Sequence, residues 1–384
     1  MGSDLALRIP DRAAPARAVI DLGAIAANYR LLRSRVAPRP VYAVVKADAY
    51  GHGAPAVAGR LAAEGADRFA VAHTGEGVAL RRAGVAGEVL VLSRAEPGEL
   101  ARLRAYGLTP ALFDLAQAAA FADGARGLVE PLSVHVELDT GMGRAGIRPE
   151  DLDALIATLR SSRGLRVEGT FANLSSADDP DSSATARQVA LLLEGASRLG
   201  AAGVGPGVVH AANSAGVLGI PNAWLDAVRP GLALYGVAPS AESAGLGLTP
   251  AMSVETDVLS VRRVPVGTPL GYGGRFVTER DTIVAILPIG YYDGFRRSLS
   301  GRTSVLVRGR RAPVVGAVSM DVTLVDATGT GVERGDRVVC LGSQGAESVT
   351  AWDLARSAGT IPYEILCGFG PRVGREYVET VQRA

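Results

Sequence analysis

The chain has 384 residues, 48% of them apolar and 21% charged, with a formal net charge of +1. That length suffices for a large core and favours two domains, while the near-neutral balance gives no electrostatic reason to expect nucleic acid or an anionic membrane as partner. No run of 18 apolar residues occurs and no basic segment leads into an apolar stretch at the N-terminus, so the expectation is a cytoplasmic protein. Cys340 and Cys367, the two cysteines, lie in apolar runs without metal-ligand spacing. They read as buried small hydrophobes in a reducing compartment, and no metal site is expected.

In chain order, 18–22 reads as a short strand and 23–36 has helical spacing. The β-branched run 41–45 predicts a strand buried on both faces, with Gly51 and Gly53 marking a turn after it. Strand-like runs recur at 68–73, 88–93, 108–114, 132–139, 167–174, 207–213 and 227–235. Between them lie alanine- and leucine-rich helical segments such as 55–64 and 184–199. With the 41–45 run these make eight β units alternating with helices, which predicts a (β/α)8 TIM-type barrel, an α/β fold; an open doubly wound sheet is the alternative. No glycine-rich fingerprint follows the first strand, which argues against a dinucleotide. From about 246 short strands take over, at 254–264, 282–287, 304–307, 314–317, 323–326 and 337–341, with one helix at 350–357. This predicts a second, mostly β C-terminal domain. The boundary is placed in the loop 238–245, giving a barrel domain 1–240 and a β-domain 241–384.

Lys46 is the only lysine; the other 39 basic residues are arginine. Guanidinium stays charged, so arginine cannot supply a primary amine that loses its proton and adds to an aldehyde. A lone lysine at the carboxyl end of a buried strand, where parallel α/β folds place ligands, is a candidate carrier of pyridoxal phosphate and a candidate acid/base. Tyr50 follows four residues later with a hydroxyl suited to a phosphate. The residues alone leave open that an arginine-biased composition simply spared one lysine. The run Ala43-Val44-Val45-Lys46-Ala47-Asp48-Ala49-Tyr50-Gly51-His52-Gly53, however, resembles the cofactor-lysine motif of the alanine racemase family.

The resemblance extends to Tyr377 through landmarks in the family's order. Asp139-Thr140-Gly141-Met142-Gly143-Arg144 implies that Arg144 contacts the cofactor's phenolic oxygen and the substrate carboxylate, a task suited to a rigid fork of donors. His210-Ala211-Ala212-Asn213-Ser214 implies a phosphate contact from Ser214. Arg229-Pro230-Gly231-Leu232 implies phosphate binding by the amides of Gly231 and Leu232, and it places Arg229 at the pyridine nitrogen. An arginine cannot accept that proton, and a second cation beside it is disfavoured, so the ring stays neutral and chemistry is biased toward moving one proton.

Pro269-Leu270-Gly271-Tyr272-Gly273-Gly274 resembles the segment bearing the family's second base, here Tyr272, with Gly271 replacing a serine. Tyr291, Met320 and Asp321 fall in further landmarks, the Met320 amide on the substrate carboxylate. Tyr363 lies in the C-terminal signature, on the phosphate. Asp178 and His210 belong to the entrance and the surroundings of the site. Two departures stand out: Asn173 replaces a histidine stacked on the cofactor, and Glu137 replaces a lysine that is often carbamylated, so a fixed carboxylate is expected to orient Arg144.

The resemblance thus implies a pyridoxal 5'-phosphate-dependent racemase interconverting L- and D-alanine, with Lys46 and Tyr272 as its two bases, supplying D-alanine for cell-wall synthesis. It also implies a homodimer in which the β-domain of one subunit covers the barrel of the other. A racemase of another small amino acid such as serine, or a barrel that binds the cofactor without turnover, are the rival readings.

Overall fold

Residues 15–179, 183–240 and 245–380 are described by a computed structural model. The expected linker at 238–245 therefore lies partly outside the described residues, as does the N-terminal stretch before residue 15.

After β1 (Ala16–Asp21) and a helix (Leu22–Val36) come β2 (Ala43–Val44), β3 (Arg68–Val71), β4 (Glu88–Val91), β5 (Thr109–Leu112), β6 (Leu132–Glu137), β7 (Leu165–Phe171) and β8 (Val208–His210). β2 to β8 form one sheet in sequence order, each neighbouring pair parallel. Parallel neighbours need a crossover after each strand, and helices such as Ala54–Ala63, Leu115–Gly124 and Ser183–Ala201 supply it. In the helix Leu152–Ser161, Leu152, Leu155 and Leu159 are the buried side chains. Their spacing of three and four puts them on one stripe facing the sheet.

The eighth unit, expected over 227–235, is the shortest stave. Ala227 bridges His210 and Val228 bridges Val41, both in parallel. The Tyr42 amide donates to the Val228 carbonyl and the Arg229 amide to the Ala212 carbonyl, each at 2.8 Å. These bonds close the ring into the (β/α)8 barrel. Pro230, which has no N–H, stops the stave, and Leu232–Tyr235 coil into a 3-10 turn.

The remaining strands are β9 (Met252–Asp257), β10 (Ser260–Val264), β11 (Pro269–Leu270), β12 (Phe276–Val277), β13 (Thr282–Leu287), β14 (Ser304–Val307), β15 (Arg310–Pro313), β16 (Thr323–Asp326), β17 (Arg337–Gln344), β18 (Glu347–Val349) and β19 (Gly374–Val378). One sheet runs β15-β14-β17-β9-β1-β19, with β18 on β17; a second runs β10-β13-β16, and β11 pairs with β12. β1 thus belongs here, antiparallel to β9 and parallel to β19. One unit spans Leu22–Thr249; the other joins the chain through Asp21 to Pro250–Thr380.

Three local expectations are corrected. The strand expected over 254–264 breaks after Asp257, and its halves enter different sheets. The strand expected over 314–317 lies earlier, as β15, because Gly316 takes a φ of 69° that an extended strand cannot accommodate. Cys367 is exposed, since its helix (Pro362–Cys367) buries Pro362, Ile365 and Leu366 instead.

Candidate active site

Lys46 leaves β2 at its carboxyl end, into a backbone turn that its composition does not favour. Ala47, Asp48, Ala49 and Tyr50 have φ of 52°, 53°, 54° and 55°, four successive non-glycine residues in the left-handed region. Each costs about 1–2 kcal/mol relative to the right-handed form, so the surroundings must impose the turn. Glu76 does much of this. Its Oε1 accepts from the Ala47 amide at 2.8 Å, and its Oε2 accepts from the Ala72 amide at 2.7 Å. Asp48 Oδ1 accepts from the Ala54 amide at 2.7 Å, and the Gly51 amide closes onto the Ala47 carbonyl. The sequence reading missed Glu76; its one signal is its place three residues into a helix start, where a glutamate caps.

The turn brings Tyr50 back onto the end of the barrel, against Tyr235 at 4.9 Å. A Cβ at Gly231 would sit 2.2 Å from Tyr50 Oη, so only glycine permits this approach. The Gly231 and Ala233 amides donate to Ser214 Oγ at 2.9 and 3.1 Å. The structure thus gathers Tyr50, Ser214, Gly231 and Leu232 at one spot, with the Gly231 amide bonded to Ser214 rather than turned outward. Two hydroxyls and the backbone amides of the turn at 231–233, gathered at one end of the barrel, are the donors a small phosphate ester takes.

Arg229, 4% exposed, is the most fully bonded residue of the site. Nη1 donates to His210 Nδ1 and to the His210 carbonyl; Nη2 donates to the carbonyls of Ala172 at 2.8 Å and Ala211 at 3.3 Å, and to Asn173 Oδ1 at 3.3 Å. Among the described residues, none accepts from Nε–H. Burial lowers its pKa to about 10, against the opposing charge of Glu137, so it stays a cation at neutral pH. His210 is held between the rings of Tyr42 (5.2 Å) and Phe171 (5.1 Å). Burial, then the charge of Arg229, keeps this imidazole neutral.

Asn173 Nδ2 donates to Glu137 Oε1 at 2.6 Å while its Oδ1 faces Arg229, so the amide bridges the two charges. Glu137 is 3% exposed and its Oε2 has no partner. Burial pushes its carboxyl up, with Asn173, Arg229 and Arg144 pulling it back. The expected pairing of Glu137 with Arg144 is absent among the described residues. Asn173 occupies the carboxylate, and Arg144 is exposed on the loop that Asp139 Oδ1 shapes by accepting from the Gly141 and Gly143 amides. Asp178 is exposed after β7.

The second unit carries the other expected residues. Tyr272 is 72% exposed on a turn whose flanking Gly271, with φ 71° and ψ −174°, occupies a region essentially reserved for glycine. That explains the absence of the family serine here. Leu270 below it packs into a small core with Val284 and Val315. Tyr291 and Met320, both exposed, are tied together: the Tyr291 amide donates to the Ser319 carbonyl at 2.9 Å and the Tyr292 amide to the Met320 carbonyl at 3.2 Å. Arg372 grips buried Asp293 through Nε and Nη2 (2.8 and 3.0 Å) and reaches Asp321 at 2.7 Å. Tyr363 is half-buried in the helix Pro362–Cys367. Among the described residues, no three acidic, histidine or cysteine side chains are grouped to hold a metal, and no helix is long and apolar enough to cross a membrane.

Residues 20–239 match the family described as alanine racemase, N-terminal domain, and 251–377 match alanine racemase, C-terminal domain. An alanine racemase of Symbiobacterium thermophilum is 43% identical over 366 residues, 94% of this chain and 97% of its own. That of Syntrophobacter fumaroxidans is 42% identical over 354 residues, 91% and 94% of the two chains. The solved alanine racemase of the D-cycloserine producer Streptomyces lavendulae superposes with a TM-score of 0.92 at 34% identity, covering 96% of this chain and 98% of that one.

Proposed function

The chain belongs to the alanine racemase family, and from that premise we propose the residue roles by which it interconverts L- and D-alanine. Pyridoxal 5'-phosphate, the family's cofactor, when bound supplies an electron-withdrawing ring that makes the substrate's α-proton removable. Lys46 holds it, and Tyr50, Ser214, the Leu232 amide and Tyr363 receive its phosphate. The observation that carries this reading is the sole lysine leading into a strained turn, at the end of a strand bonded to the stave that carries an arginine with both terminal nitrogens bonded. Nε–H of Arg229 then remains for the pyridine nitrogen. A cation there cannot accept a proton and repels one on the ring, so proton movement is confined to the α-carbon.

Racemisation needs a group on each face of that carbon. Lys46 Nζ serves one face and Tyr272 Oη the other, while Arg144 and the Met320 amide hold the substrate carboxylate. We propose that Tyr272 comes from a second copy of the chain, in a homodimer with two composite sites. The buried free thiol of Cys340 agrees with a cytoplasmic setting, where D-alanine serves cell-wall synthesis.

Borohydride reduction of the holoenzyme followed by peptide mapping tests the cofactor assignment. The pyridoxyl group is expected on Lys46, with only the terminal amine able to compete. A label confined to that terminus overturns it.

A further inference from the structure

Behind Arg229 a line of buried polar side chains runs through the barrel, and the roles above leave it unused. His210 Nε2 lies 3.0 Å from His135 Nδ1, and His135 Nε2 lies 3.3 Å from Glu88 Oε1, close enough for charge though not aligned as a hydrogen bond. Tyr42 Oη donates to both Glu88 oxygens, at 3.0 and 2.9 Å, and Arg68 Nε stands 3.4 Å away. The fold makes room for this line. The register of β6 on β7 shifts between Val134 and His135, where β7 carries the extra residue Glu168, and a bulge re-aims the side chain beside it. Opposite, a Cβ at Gly169 would come 2.3 Å from His135 Cε1.

Valence dictates how the protons lie. Arginine only donates, so His210 Nδ1 is a lone pair and its single proton sits on Nε2. That proton points to His135 Nδ1, which must also be a lone pair, and the His135 proton sits on Nε2 facing Glu88. Both rings then turn their negative ends toward Arg229. The opposite order would set an N–H of His210 against an N–H of the arginine. In a dry interior such a chain of dipoles acts at far greater strength than in water.

We propose that Glu88, at the amino end of β4, is a positioning residue that supports Arg229 through two rings: its carboxylate holds the proton of His135 on Nε2, which leaves the His135 Nδ1 lone pair to take the proton of His210. The consequence for cofactor binding rests on the racemase reading; the proton order itself does not. Burial works to raise the Glu88 carboxyl, but His135, Tyr42 and Arg68 outweigh it and keep the carboxyl ionised.

The chain has 4 histidines, so 15N-histidine labelling of the deuterated holoenzyme resolves each ring. The parent is expected to show His135 and His210 as single Nε2–H tautomers. Glu88→Gln should populate the Nδ1–H form of His135, which opens its bond to His210, and weaken cofactor binding about tenfold, the lower end of what outer partners contribute at metal sites. Tyr42→Phe removes a bond to Glu88 but leaves its charge, and should keep the parental tautomers. An Nδ1–H form on either ring of the parent overturns the proposal even if the variants fail to fold. Unchanged tautomers in Glu88→Gln, or equal scrambling in Tyr42→Phe, also overturn it. A parent that shows the expected tautomers but binds no cofactor would sink the functional reading and leave the proton order standing.

Discussion

Around Arg229 the barrel places every polar neighbour, whereas around Tyr272 the β-rich unit leaves the reactive side chains in the open. Arg229 is 4% exposed and its terminal nitrogens meet backbone carbonyls, an imidazole and an amide; Tyr272 is 72% exposed, on a glycine-flanked turn. The barrel side is electrostatically preorganised, which is what holding charge in a dry site requires. In the β unit the backbone is held instead, by the Arg372 fork and the Ser319 and Met320 carbonyls, while the side chains of Tyr272, Tyr291 and Met320 are exposed.

The strongest way to break that contrast is to separate the two bases. Lys46→Ala and Tyr272→Phe chains, each expected to be almost inactive alone, are refolded together. Shared sites give mixed dimers one intact site each and about a quarter of the parental activity at random pairing. No recovery would show that Lys46 and Tyr272 act within one subunit.

A smaller change sharpens the claim that the barrel side is packed without slack. Gly231→Ala drives a methyl into Tyr50 Oη, an overpacking cost of about 1–3 kcal/mol. Lower thermal stability and faster loss of cofactor on dialysis are expected, with melting partly restored by adding Tyr50→Phe. An unchanged melting temperature in the single variant would remove the argument for a fitted cradle.

The smallest effect concerns Glu137. Its carboxyl is raised in the folded state, chiefly by burial, so its stabilising contribution is present below the ordinary carboxylate range and is lost as pH rises through the folded value. Glu137→Gln should therefore gain melting temperature relative to the parent from about pH 4 upward. A difference that does not vary with pH would show that Glu137 ionises as freely folded as unfolded.

What could be read from the sequence was chemistry carried by neighbours in the chain. Lys46 with Tyr50, and Arg229 with Gly231, announce themselves because each motif is contiguous and its residue types are hard to replace. Glu76, His135 and Glu88 were not found, because their partners come from other strands and a lone glutamate or histidine carries no local pattern. The left-handed turn was illegible for a sharper reason. Alanine is the best right-handed helix former, and the clamps from Glu76 and Asp48 that hold the reversed hand reach outside the local pattern. Helix and strand alternation foretold the barrel, but the allegiance of β1 depends on pairing across more than the whole barrel's length of chain.

That allegiance imposes an order on synthesis. β1 precedes the barrel in the chain, yet Arg17 pairs with Glu255 and Gly374, both made after it. The intervening 22–249 segment has its own hydrophobic core and mostly neighbour-to-neighbour strand pairings, so it can close while the nascent chain is still growing. Until then β1 is a tethered strand with both edges unpaired, the state most open to wrong partners. Arg17 and Asp21, which with Val19 alternate with its buried alanines and isoleucine, keep that waiting strand from being uniformly sticky.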